Sequence, residues 1–163
     1  MEQNILPSRT SSPKDVFVHI LAIVTMYGSA ISFLTLLFQY IELLIPDVLQ
    51  GGYYARAGHL QTVRLSLASL IIIFPVFCFT NRFLNKCYTQ EPILRTLRIR
   101  KWLLYFTLFI VALVIIGDLV TLIFHLLGGE LTGRFLLKVF IVFFVAGSVF
   151  WYYGYDLKKY RTE

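Results

Sequence analysis

Charge is scarce in this chain. Only 15% of its 163 residues are Asp, Glu, Lys or Arg, against about 25% in soluble domains, so an ordinary water-exposed surface is excluded. Cysteine is rarer still. Cys78 lies in an apolar run and Cys87 just past it, in no spacing that serves a disulfide framework, a zinc site or a redox pair. Also missing are a phosphate-cradling glycine loop, a His-x-x-x-His pair, a nucleophile elbow and Cys-x-x-Cys, the local signatures of common enzyme classes. No catalytic residue, metal ligand or cofactor is therefore expected.

Hydrophobic residues make up 58% of the chain. They gather into four runs, about 16–45, 60–83, 102–127 and 131–155. Each reaches the roughly 20 residues that a helix needs to cross a hydrocarbon core about 30 Å thick. The expected fold is an all-α bundle of four transmembrane helices occupying 16–157, with tails at 1–15 and 158–163. No room remains for a separate catalytic domain. Lys14 before an apolar stretch and the small residues Gly28-Ser29-Ala30 imitate a signal peptide. The run continues through Ile31, Phe33, Leu34 and Leu36, which reads as an uncleaved helix.

The basic residues orient the bundle. Eleven of the 15 fall on one side: Arg9 and Lys14, then Arg82, Lys86, Arg95, Arg98, Arg100 and Lys101, then Lys158, Lys159 and Arg161. Arg56, Arg64, Arg134 and Lys138 are on the other. The positive-inside rule then predicts both termini in the cytoplasm, with Trp102 and Trp151 near the cytoplasmic boundary. The net charge of +6 is accounted for by lipid headgroups rather than nucleic acid. Between the second and third runs, about 91–101, Pro92 opens an amphipathic stretch. Ile93, Leu94 and Leu97 share one face while Arg95, Arg98, Arg100, Lys101 and Trp102 are positioned to meet headgroups, which predicts an interfacial segment.

Polar residues inside the spans are the candidate sites. An acid at membrane depth costs about 2.5 to 3.5 kcal/mol on insertion scales, so Asp118 requires a partner. Lys138 stands as far after Gly128 as Asp118 stands before it, which pairs the two across the second hairpin. Glu42 and Arg64 flank Gly51-Gly52 in the same sense, an acid on the outgoing helix and a base on the returning one. That parallel is consistent with two duplicated helical hairpins or with chance in apolar sequence. Thr107, Val111, Val114, Asp118, Thr121 and His125 follow a heptad stripe, and Thr25, Ser29, Ser32, Thr35, Gln39 and Glu42 line helix one. Such stripes serve either helix packing or a hydrated proton path. Pro75 breaks one hydrogen bond of the second helix, as a hinge or a kink. His19, His59 and His125 stand apart in sequence and form no ligand motif.

The run Ile99-Arg100-Lys101-Trp102-Leu103-Leu104-Tyr105, then Gly117-Asp118-Leu119, Gly128-Gly129-Glu130-Leu131-Thr132, Arg134-Phe135, Leu137-Lys138-Val139 and Tyr155-Asp156-Leu157, resembles an uncharacterised bacterial family. Its members are four-helix integral membrane proteins grouped as a domain of unknown function. Phe74-Pro75-Val76-Phe77 is similar to the same pattern, and the likeness runs from Val16 to Tyr160. It implies a bacterial inner (cell) membrane and carries no reaction, ligand or partner. The expected role is a non-enzymatic structural or accessory membrane module, acting through helix–helix assembly as a homo-oligomer or in a larger membrane complex. The alternative is a proton- or ion-coupled transport element built on Asp118.

Overall fold

The computed structural model describes residues 13–45, 53–90, 98–129 and 132–159. They form four helices: α1 Pro13–Leu44, α2 Tyr53–Gln90, α3 Arg98–Leu127 and α4 Gly133–Lys159. All four contain stretches long and apolar enough to cross a membrane. The fold is a multi-pass helical bundle, as the four runs predicted. α2 extends farther than its apolar run at both ends, because a helix continues through polar sequence such as Arg82, Asn85 and Lys86 wherever nothing breaks its hydrogen-bond ladder. Pro75 sits inside it, and the helix passes through.

Local chemistry sets the ends. Pro13 opens α1, where its missing N–H is no loss, and Asp15 faces the positive end of the helix dipole. α3 stops at a tight turn in which Gly128 N donates to Phe124 O at 3.0 Å and Gly129 N to Leu126 O at 3.3 Å. Gly129 adopts φ +69°, a left-handed conformation that glycine enters without strain. Thr132 Oγ1 then accepts from Phe135 N at 3.4 Å, capping α4. Of the expected interfacial segment, 91–97 lies outside the described residues, while 98–101 are the first turn of α3. Lys101 and Trp102 are exposed, and Trp102 stacks on Phe106.

Neighbouring helices run antiparallel, so the bundle has two ends. The terminal end is where α1 begins and α4 finishes. At the turn end α1 and α3 finish. α1 is the hub, packed against each of the other three helices, whereas α2 approaches neither α3 nor α4 within 8 Å between Cα atoms among the described residues. Gly28 makes the α1–α2 contact close: a β-carbon there would meet Ile73 Cγ2 at 3.3 Å. Ala22, Thr25 and Ser29 beside it are also small and buried, the pattern that lets helix backbones approach in lipid.

Burial is lopsided. His19, Ala22, Thr25, Met26, Ser29, Thr80, Leu84, Tyr88, Leu103, Leu104, Thr107, Val111 and Ala146 are buried in the terminal half. In the turn half only Ile41, Ser66 and Val139 join them among the described residues. Thr107 has no exposed surface at all. Farther along its stripe, Val114 is 44% exposed and Thr121 is exposed, with Asp118 and His125 half-buried.

Candidate functional site: polar clusters at the two ends

At the turn end, three helices bring charge together. Glu42, on the last turns of α1, pairs with Lys138 of α4, and its second oxygen lies 3.5 Å from Arg134 Nη1, one helical turn earlier on α4. The spacing of 134 and 138 puts both cations on one face of α4, so one carboxylate bridges them. The Lys138 ammonium also sits 5.8 Å from the centroid of Phe38, within reach of the ring's negative face. Gln39, three residues before Glu42, bonds His59 of α2 through Oε1 and Nδ1 at 2.5 Å. An amide oxygen only accepts, so Nδ1 carries the proton. The cluster thus ties α1 to α4 on one side and to α2 on the other.

Lys138 is given to Glu42, not to Asp118. The expectation of an Asp118–Lys138 pair took Gly128 as the centre of the hairpin. His125 and Phe135 lie ring to ring, with centroids 4.2 Å apart, so the centre is at residue 130 and Val142 stands level with Asp118. The shift leaves Lys138 about 6 Å nearer the turn end than Asp118, closer to the membrane surface where a charge is less costly. Asp118 is half-buried, and its Oδ2 is shut in with no hydrogen-bond partner among the described residues. Arg64 also differs from expectation: it is exposed on α2 and takes no part in the Glu42 cluster. His125 packs against Phe124 and Phe135.

The terminal end holds a second polar group. His19 Nδ1 donates to the Asp15 carbonyl at 2.6 Å, and its Nε2 lies 2.5 Å from the Tyr88 hydroxyl. With the proton fixed on Nδ1, a neutral ring accepts from Tyr88. Asn81 Nδ2 donates to the Tyr152 hydroxyl at 3.0 Å, joining α2 to α4 across their gap. These side chains, with Asn85, Leu103 and Leu104, line a cavity of about 70 Å³. The polar pairs His19–Tyr88 and Asn81–Tyr152 were not foreseen. The available signal was His19 itself, a lone imidazole within an apolar run that must find a partner.

Between the ends, the hydroxyls turn inward on their own helices. Thr25 donates to Leu21 O at 2.7 Å, Ser29 to Thr25 O at 2.8 Å, Thr107 to Leu103 O at 2.9 Å and Thr121 to Gly117 O at 2.8 Å. A hydroxyl so occupied offers little to a passing ion. A groove lined by Ser29, Ala30, Phe33, Leu70 and Phe74 at mid-depth is almost wholly apolar. No group of three metal-ligating side chains occurs among the described residues.

A family model described as a domain of unknown function, DUF5671, matches residues 15–153. The chain belongs to this family. The match begins in the first turn of α1 and ends at Tyr153 beside the terminal cavity, so the DUF5671 domain is the four-helix bundle itself, with both polar clusters inside it. No curated protein and no solved structure matches the chain.

Proposed function

We propose that this DUF5671 protein is a non-enzymatic membrane module that works by assembling through its helix faces, in a bacterial cell membrane with both termini cytoplasmic. The observation that carries the reading is the separation of its polar groups. His19, Asn81, Tyr88 and Tyr152 lie at one end, and Gln39, Glu42, His59, Arg134 and Lys138 at the other. Gln39 and His19 are twenty residues apart on α1, about 30 Å of helix, and between them the Thr25, Ser29 and Thr35 hydroxyls are spent on backbone carbonyls. Such an arrangement binds helices together and leaves the two clusters unconnected by side-chain hydrogen bonds among the described residues. The basic residues on the terminal side support the orientation.

The transport reading has in its favour two enclosed polar atoms without a hydrogen-bond partner among the described residues, Asp118 Oδ2 on α3 and the Tyr27 hydroxyl on α1, since acids at membrane depth commonly mark ion paths. Proteoliposomes loaded with a pH-sensitive dye separate the two. Under an imposed proton gradient and membrane potential, wild-type vesicles should equilibrate no faster than empty ones. Faster equilibration that disappears in Asp118→Asn would overturn the assembly reading.

A further inference from the structure

Among the described residues, two charges of opposite sign are left over at the turn end. Glu42 takes Lys138 and Arg134, while among the described residues Asp118 on α3 has no ion pair and is half-buried, its Oδ2 enclosed by its own chain and only the remainder of the carboxylate within reach of a neighbour, and Arg64 on α2 is exposed. Their depths match. Arg64 lies five residues below His59, which bonds Gln39, and nine above Ile73, which packs on Gly28. At about 1.5 Å per residue that sets Arg64 roughly 8 to 12 Å below Glu42, and Asp118 is about 6 Å below Lys138, the residue Glu42 holds. Both therefore sit about one to two helical turns beneath the charged cluster. They cannot meet as the chain stands, because α2 comes within 8 Å of neither α3 nor α4 between Cα atoms among the described residues.

The surfaces around the two charges are alike in being unfilled. On α2, Leu67, Ala68 and Ile71 are exposed within two turns of Arg64, and on α3 Val114, Gly117 and Thr121 are exposed within a turn of Asp118. A β-carbon built on Gly117 meets nothing within 4 Å. Small residues beside a charge in lipid allow a second helix to come close enough for its counter-charge to reach.

We propose that the open α2/α3 seam is closed by a second copy of this chain, with Arg64 of each copy paired to Asp118 of the other. Two-fold symmetry about the membrane normal sets α2 of one copy against α3 of its partner, antiparallel and at equal depth. The contact is made twice, and both charges are satisfied on both copies without an open end. An asymmetric partner would have to supply an acid and a base of its own at these positions; a second copy supplies both. This inference rests on the assembly reading and names its partner.

Native mass spectrometry from lipid nanodiscs tests it. Wild type should appear as two chains, and Arg64→Leu or Asp118→Leu should weaken the dimer about tenfold or more. The charge exchange Arg64→Asp with Asp118→Arg should restore it, which a mere folding defect would not allow. In a background with Cys78 and Cys87 replaced by Ala, Arg64→Cys chains co-expressed with Asp118→Cys chains should oxidise to a disulfide-linked species of two-chain mass. Single-chain mass for wild type overturns the proposal. So does unchanged mass in Arg64→Leu, the result expected if the guanidinium reaches a lipid phosphate instead. A chain carrying both cysteines that closes on itself at single-chain mass would also overturn it, by showing the seam to shut within one copy. Failure here and failure of the assembly reading are distinct, because a monomer without proton flux sinks only the pairing, and a dimer with Asp118-dependent flux sinks only the assembly reading.

Discussion

The terminal half and the turn half of this bundle are held by different forces. In the terminal half, small side chains let the backbones close, Thr107 is wholly enclosed, and cohesion comes from packing. In the turn half almost nothing is enclosed, and one carboxylate, Glu42, joins α1 to two cations on α4. Lipid tails are as apolar as leucine, so apolar surface alone gives helices no reason to associate in a membrane; close packing or polar contacts must supply it. The turn half relies on polar contacts, and the terminal half adds close packing to its own polar pairs. Among the described residues, Asp118 and Arg64 in the turn half take part in no ion pair.

The largest effect should come from the turn half. Glu42→Leu leaves Lys138 and Arg134 without their shared acceptor and should cost about 1.5 to 3 kcal/mol, the range for hydrogen bonds to charged groups. Reversible unfolding of the chain in lipid bicelles measures it. A loss as small as that of an ordinary surface substitution, within about 0.5 kcal/mol, would mean the cluster is ornamental.

Next, the same substitution at two rungs of one helix sharpens the contrast. Thr107→Phe forces a large ring into space that is already full and should cost about 1 to 3 kcal/mol. Thr121→Phe, fourteen residues on and exposed, should stay within about 0.5 kcal/mol. Equal losses at both positions would erase the distinction between a closed half and an open one.

The smallest effect is expected at the terminal polar pair. Tyr88→Phe removes the hydroxyl that meets His19 Nε2 and should cost about 1 kcal/mol, the net worth of a typical buried hydrogen bond. The His19 ring resonances in an NMR spectrum should move with it, since Nε2 loses its neighbour while Nδ1 keeps the Asp15 carbonyl. Unmoved resonances would place the imidazole elsewhere.

The four spans and the polar candidates within them were legible because hydropathy and the cost of charge in lipid act locally, on each residue's own position. Partners were less so. Glu42 and Lys138 were both singled out, yet each was assigned to the wrong mate, because sequence distance from a glycine pair does not give the centre of a hairpin. α3 ends at Leu127 and α4 begins at Gly133, and the four-residue shift in register moves Lys138 away from Asp118 and within reach of α1. Tyr88 and Tyr152 were hidden for a different reason. Aromatic residues near a membrane boundary satisfy the interfacial pattern whether or not they hold a hydrogen bond, so sequence alone does not distinguish a lipid-facing tyrosine from the one that meets His19. Arg64 and Asp118 were legible as costly residues, whereas the separation of α2 from α3 and α4 among the described residues was not.

The register of the turn half decides which carboxylate holds Lys138, and a double-mutant cycle measures it. Unfolding free energies in bicelles are needed for Glu42→Leu, Lys138→Leu, Asp118→Leu and the two pairs that contain Lys138→Leu. A coupling of about 0.5 to 3 kcal/mol is expected between Glu42 and Lys138, and additive losses between Asp118 and Lys138. Coupling between Asp118 and Lys138, with additivity at Glu42, would contradict this register.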